Sequence, residues 1–380
     1  MKESLMVVAG EVSGDMHAAG AIRALKQKRP DLHCWGIGGD ELRAEGVELL
    51  YDAEQMAVLG FTEVLRKYRF FKQTFKRLLE EAERRKPTAA LLVDYPGFNL
   101  RLAARLKARG IRVIYYVCPQ VWAWNRRRIP QMARIIDRLM VIFPFETEVF
   151  QHTGLHVDFI GHPLVEELQK IKAGTLLPLP WKSAKKIALL PGSRKQEIEH
   201  ILPVLLETAR ELHQRDPTIG FVVAVPVRQR QRVEKLMKTF RDLPDELYLV
   251  AGQTREVLRQ AGVALVASGT ATLESALLGC PTLVVYKTAP LNYWLGRMLI
   301  RVPWLGIVNI VAGHEVCPEF IQQRARPGLL APAALALMKK GPVREKMLLV
   351  FSEIELLLGK AHVEENAAAV IAEELDRSHV

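Results

Sequence analysis

LMVVAGEVSGDMHAAGAIRALKQK, residues 5–28, passes from an aliphatic run through a loop of small residues into a segment with apolar side chains at helical spacing. The run 5–9 lacks the polar alternation of a half-exposed strand and predicts a strand buried on both faces, as in a parallel sheet. The segment 17–28 ends in Lys, as a helix C-terminus favours. The same change of period recurs along the first half, with strands expected at 89–93, 113–117 and 139–142 and a helix at 100–109. This alternation predicts a doubly wound α/β sheet.

The rhythm pauses at 172–181 (KAGTLLPLPW), where Gly, Thr and two prolines break it. It restarts with strands expected at 187–190, 221–225, 247–250, 264–267 and 282–285, and helices at 198–214, 229–240, 254–261 and 271–278. The expected organisation is therefore a first domain over 1–171, a linker at 172–181 and a second domain over 182–342, with helical residues 343–375 packing back on the first. A chain of 380 residues suits two cores. Two Rossmann-like doubly wound domains facing a cleft would carry their ligands outside the carboxyl ends of the strands.

The loops at those strand ends supply the candidate site. Leu190-Pro191-Gly192-Ser193-Arg194 follows a strand. Gly192 permits close approach to a ligand, Ser193 can cap the next helix, whose free N–H groups favour an anion, and Arg194 offers a fork of donors to a diphosphate. An ordinary helix cap with a surface Arg is the alternative. Ser268-Gly269-Thr270 again joins a strand to a helix, and Glu274 on that helix is either an acceptor for ribose hydroxyls or a solvated side chain.

In the first half, Gly10-Glu11-Val12-Ser13-Gly14-Asp15 follows the first strand without the dinucleotide-binding glycine spacing. Ser13, Gly14 and Asp15 are expected to contact substrate, and residues 36–40 (GIGGD) read as a second flexible loop. Asp94 ends a strand and precedes Tyr95-Pro96-Gly97-Phe98-Asn99. It is placed either to take a proton from an attacking hydroxyl or to cap the next helix, with Asn99 as its rival. The aromatic stretch 115–124 (YYVCPQVWAW) precedes three arginines, so Trp122 and Trp124 suit either a sugar face or buried packing. Residues 61–77 (FTEVLRKYRFFKQTFKR) form a basic amphipathic segment. Its Val64, Leu65, Tyr68, Phe71 and Phe75 would meet an anionic membrane interface or acyl chains, unless that stripe packs on the sheet.

Composition excludes several classes. Four scattered cysteines form neither a disulfide ladder nor a zinc site. There is no Asp-x-Asp triplet, Walker loop or nucleophile elbow, so neither a metal nor a cofactor is expected. A net charge of +11 suits phosphorylated or membrane partners, and no nucleic-acid motif accompanies it. The first ten residues lack a secretory signal and no apolar run spans a bilayer, so a cytoplasmic, peripheral location is expected.

Taken in order, AGEVSGD (9–15), MAVLGFTEVL (56–65), VDYPGFN (93–99), YYVCPQVWAW (115–124), FPFE (143–146), FIGHPL (159–164), LLPGSR (189–194), ASGTATLE (267–274) and VNIVAGHEVCPEF (308–320) resemble the lipid-A-disaccharide synthase family. The resemblance implies a GT-B fold and an inverting glycosyltransferase on the inner face of the inner membrane. It implies UDP-2,3-diacylglucosamine as donor, 2,3-diacylglucosamine 1-phosphate (lipid X) as acceptor, and UDP with a β(1→6) disaccharide as products. It also allows a homodimer. By the same resemblance Asp94 matches the catalytic carboxylate, Arg194 the essential arginine, and Glu274 and Asn309 positions near the nucleotide. Asp94 and Arg194 are then expected to face each other across the cleft. Two departures stand out: Gly97 where many members have a second Asp, and CPQVWAW where SPSVWAW is frequent. Another UDP-sugar transferase, a UDP-sugar epimerase and a non-enzymatic membrane binder are the competing readings.

Overall fold

The computed structural model describes residues 3–56, 67–359 and 362–377. The chain forms two compact units, one made of Met1–Pro163 with Leu358–Val380, the other of Leu164–Leu357.

The first unit is built on a parallel sheet of β1 (Ser4–Ala9), β2 (His33–Gly38), β3 (Glu48–Asp52), β4 (Ala89–Val93), β5 (Arg112–Tyr116), β6 (Arg138–Val141) and β7 (His156–Phe159), in the order β3-β2-β1-β4-β5-β6-β7. Side chains along β1 alternate between two cores. Leu5, Val7 and Ala9 face the helices Val12–Lys28 and Val363–Arg377, whereas Met6 and Val8 face the helices Tyr68–Arg85 and Pro96–Lys107. Both faces being covered, the central strands β1 and β4 read as nearly unbroken aliphatic runs. The helix Val363–Arg377 is also tied to the sheet by charge: Arg138, almost wholly buried, pairs with Asp158, Glu373 and Glu374, and Arg112 pairs with Glu374.

The second unit repeats the plan with β8 (Lys185–Leu190), β9 (Ile219–Val225), β10 (Leu247–Ala251), β11 (Val263–Ala267), β12 (Thr282–Tyr286) and β13 (Glu319–Ile321), in the order β10-β9-β8-β11-β12-β13. The stretch 172–181 lies within this unit. Arg259 donates to the carbonyls of Lys172, Gly174 and Thr175, and the Leu177 N–H donates to the buried Glu256 carboxylate. The helical region after 342 is two helices, of which Pro342–Leu358 falls, but for its last residue, in the second unit and Val363–Arg377 in the first.

Sequence and structure part company at the margins. β3 and β7 escape the hydrophobic reading because both are short edge strands, only partly buried, and β13 because it is three residues long and begins with the buried Glu319. The GIGGD stretch is not a flexible loop: Gly36 and Gly38 belong to β2. Gly36 has φ +151°, and a Cβ there would stand 1.9 Å from the Val7 carbonyl oxygen. Its glycine serves strand packing, not a turn.

In each unit the order reverses beside the strand that begins it, between β1 and β4 and between β8 and β11. Those switch points are where open α/β sheets take their ligands. The loops starting at Gly10, Asp94, Pro191 and Ser268 all leave the strands that flank them.

Candidate active site

In the first unit Asp94 leaves β4 in an unusual backbone. Asp94 and Tyr95 both have positive φ, +45° and +49°, and Val117, at the end of adjacent β5, has φ +67°. Left-handed backbone costs a non-glycine residue on the order of 1–2 kcal/mol, and such residues gather at functional sites. Neighbours hold the distortion in place. The Asp94 N–H donates to the Tyr116 carbonyl at 2.9 Å. The Asp94 carbonyl accepts from the Tyr115 hydroxyl at 2.6 Å and the Asn99 amide at 2.8 Å. Neither Asp94 nor Asn99 caps the helix Pro96–Lys107, whose N-cap is Tyr95 without a side-chain hydrogen bond. The Asp94 carboxylate is thus not spent on a helix cap. Burial, reinforced by the Glu11 charge, raises its pKa to about 6, suited to a base at neutral pH.

The remaining first-unit candidates separate into those beside Asp94 and those in supporting positions. Gly14 is buried, and a Cβ on it would touch Val93, so it lets the helix Val12–Lys28 start close to β4. Ser13 is exposed on that first turn. Asp15 was expected at substrate, but it is buried, and its carboxylate accepts the N–H groups of Gly39, Glu41 and Leu42. It anchors the loop after β2. Trp122 is buried and donates to Glu146, whose carboxyl burial pushes up to about 7, while Trp124 is exposed with the Arg128 guanidinium 5.7 Å over its ring. Burial also raises the Cys118 thiol, which leaves it a poor nucleophile.

The basic amphipathic segment divides as well. Val64 and Leu65 lie outside the described residues. In the helix Tyr68–Arg85, Phe71 and Phe75 are half-buried against the core rather than fully exposed, while Tyr68 is exposed. With Tyr95, Gly97 and Phe98 they line an apolar groove of about 530 Å³, rimmed by Lys72 and Arg101. The groove abuts the loop that carries Asp94.

In the second unit Gly192, Ser193, Arg194, Ser268, Gly269, Thr270 and Glu274 come together around one pocket of about 720 Å³. Gly192 has φ +101°, and a Cβ on it would lie 2.5 Å from Glu197 Oε2. The expectation that Ser193 caps the following helix is corrected. Glu197 does so by reaching back to the Ser193 and Arg194 N–H groups at 3.1 and 3.2 Å. Its other oxygen holds the Arg194 guanidinium at 2.7 Å, and the Arg194 side chain is 81% exposed. Arg194 is thus aimed by Glu197 and keeps donors for an anion.

Ser268 donates to the Leu305 carbonyl at 2.8 Å, and Gly269, with φ +150°, opens the helix Thr270–Leu277, whose first turn lines the pocket. First-turn N–H groups have no partner inside a helix, which suits phosphate oxygens. Glu274 accepts from Arg255 at 2.8 Å, and Arg255 also pairs with Glu167.

Arg255, with Gly252, Gln253 and Thr254, was missed in the sequence, although it too follows a strand-glycine-helix turn at Leu247–Ala251. Asn309 is the converse case. Expected near the nucleotide, it is wholly buried and does not line the pocket. Its amide donates to the Cys317 carbonyl and to Glu319, and its oxygen accepts from the Val316 and Cys317 N–H groups. Glu319 in turn accepts from the Leu305 N–H, so Asn309 braces the segment on which Ser268 leans. Among the described residues no cluster of three or more His, Cys, Asp or Glu side chains could hold a metal ion.

Paired parallel α/β units with ligand loops at their switch points define the GT-B class of sugar-nucleotide enzymes. The UDP-N-acetylglucosamine 2-epimerase of Neisseria meningitidis bound to UDP-GlcNAc has this fold, with a TM-score of 0.65 at 16% identity over 98% of this chain and all of that one. CalG4, the calicheamicin glycosyltransferase, has it too, with a TM-score of 0.58 at 15% identity over 99% of each chain. Likeness at such identity is one of fold alone. The family described as Lipid-A-disaccharide synthetase matches residues 5–373, and the chain belongs to that family. The lipid-A-disaccharide synthase of Myxococcus xanthus is 40% identical over 380 residues, covering 99% of this chain and 98% of that one. That of Syntrophus aciditrophicus is 40% identical over 369 residues, 96% of each. The chain is accordingly a glycosyltransferase that joins lipid A precursors.

Proposed function

We propose that the chain transfers 2,3-diacylglucosamine from its UDP derivative to the primary hydroxyl of 2,3-diacylglucosamine 1-phosphate, with inversion. The acceptor oxygen attacks the anomeric carbon as its proton passes to Asp94, and the bond to the diphosphate breaks to release UDP. A primary hydroxyl is a weak nucleophile, so a carboxylate that takes its proton in the transition state accelerates attack. The charge that develops on the departing diphosphate falls to Arg194 and to the first turn of the helix Thr270–Leu277. The second oxygen of Glu274 serves a ribose hydroxyl. The groove between Phe71, Phe75 and Phe98 takes an acyl chain, its rim cations Lys72 and Arg101 beside anionic headgroups. Because both sugars are acylated, the reaction runs at the inner membrane surface; no helix among the described residues is long and apolar enough to cross it.

The observation that carries this reading is the carboxylate of Asp94, delivered from a switch-point strand on left-handed backbone with a pKa of about 6. Incubating the purified chain with both acylated sugars tests it: disaccharide and UDP should appear in equal amounts. Interconversion of the UDP-sugar without use of the acceptor, or undiminished turnover by Asp94→Ala, would overturn it.

A further inference from the structure

The helix Pro290–Leu299 of the second unit has ten residues and not one of them is buried. Leu291, Trp294, Leu295 and Met298 follow one another at helical spacing along one face and are 70%, 65%, 52% and 80% exposed, and Leu299 continues them at 59%. A surface helix ordinarily turns such a stripe to the core. Here the stripe is turned outward, although the protein has ample apolar core beneath the adjoining sheet.

Charge indicates what covers it. From residue 275 to residue 314 the chain has no Asp or Glu, while Lys287, Arg297 and Arg301 flank the stripe. None of these three cations forms an ion pair among the described residues. An apolar stripe with Trp, bordered by cations and free of acids, is the make-up of a helix lying in an anionic lipid interface. A second copy of the chain fits less well. Ten residues make a helix about 15 Å long and about 10 Å across, far short of the roughly 800 Å² per partner that a stable complex takes.

We propose that the helix Pro290–Leu299 docks the second unit on an anionic bilayer, with Leu291, Trp294 and Met298 in the acyl boundary and Arg297 and Arg301 on the headgroups. The helix follows the carboxyl end of β12, the pocket is lined from the carboxyl ends of β8 and β11 in the same parallel sheet, and the segment after the helix supplies the Leu305 carbonyl to Ser268. Docking therefore presents the pocket mouth close to the lipid surface. This surface rests on its own observations and holds whichever sugars the enzyme joins.

Co-sedimentation of the full chain with vesicles tests it, using phosphatidylcholine alone and phosphatidylcholine mixed with phosphatidylglycerol. Arg297→Gln with Arg301→Gln should weaken binding to the mixed vesicles roughly thirtyfold and change binding to neutral ones little. Leu291→Ser with Trp294→Ser and Met298→Ser should weaken binding to both. UDP binding, measured by calorimetry, should be unchanged in both variants and certifies that the second unit is folded. Either variant sedimenting with mixed vesicles as the unaltered chain does would overturn the proposal. So would a serine variant that keeps its vesicle binding and changes only its oligomeric state, which would assign the stripe to a second copy.

Discussion

The hydroxyl of Tyr115 lies 2.6 Å from the carbonyl oxygen of Asp94 and donates to it, so one side chain of β5 sets the backbone of the residue that follows β4. Burial raises the Tyr115 pKa well above its ordinary value, and the hydroxyl stays a donor throughout the working pH range. With the Asn99 amide on the same oxygen, Asp94 is clamped through its main chain.

Tyr115→Phe removes that donor and little volume. It should lower kcat by about tenfold to a hundredfold, the usual effect of misplacing a catalytic group. UDP affinity should be unchanged, and stability should fall by about 1 kcal/mol. Steady-state kinetics beside a denaturation curve checks both.

A base with a pKa of about 6 is ionised above that pH, so kcat/KM should rise through about pH 6 and then level. Glu11 adds a like charge that raises the Asp94 value. Glu11→Gln should therefore move the acid limb to lower pH. A pH–rate profile of the variant that overlies the original would remove Glu11 from the account.

Gly97 has nothing within 4 Å of where a Cβ would stand. Gly97→Asp should fold normally, since the new side chain meets open space in the first turn of a helix, where acids are favoured. Its carboxylate near Asp94 should raise the proton affinity of the pair and carry the acid limb of the profile to higher pH.

Arg255→Ala leaves Glu274 and Glu167 without their shared cation. UDP binding should weaken by about tenfold or more, because the acid offered to the ribose loses its fixed orientation and gains repulsion from the diphosphate. Calorimetric titration with UDP measures it.

Asn309→Ala should destabilise the second unit by about 2–4 kcal/mol, since four hydrogen bonds of a buried amide go unmade and Glu319 loses a donor. Any loss of UDP affinity should follow the loss of folded protein in a thermal melt.

Much of this molecule is legible in its sequence for one physical reason: a central strand covered on both faces writes an aliphatic run, and the loop after it lies at the end of the sheet where open α/β folds take ligands. Asp94, Gly192, Ser268 and Gly269 are placed just past strand ends that way. Edge strands such as His156–Phe159 escape because half-exposed backbone tolerates polar residues. Asp15 reads as a ligand group because a polar side chain beside a glycine loop looks the same whether it faces a ligand or a neighbouring main chain, whereas Asn309 was expected near the nucleotide on the resemblance alone. Only the partners, three N–H groups for Asp15 and a bracing network for Asn309, separate the two. Arg255 went unseen although Gly252-Gln253-Thr254-Arg255 repeats, one residue longer, the glycine turn and arginine of Gly192-Ser193-Arg194.

The helix Val363–Arg377 supplies Val363, Ala367, Ala368, Ile371 and Leu375 to the core beneath β1. During synthesis the opening strands emerge from the ribosome long before that cover exists, so Ala18, Ile22 and Leu25 must wait with a bare flank while the whole second unit is made. The lobe that begins first is finished last, and a nascent chain stalled before residue 363 would hold that flank open to chaperones or to aggregation.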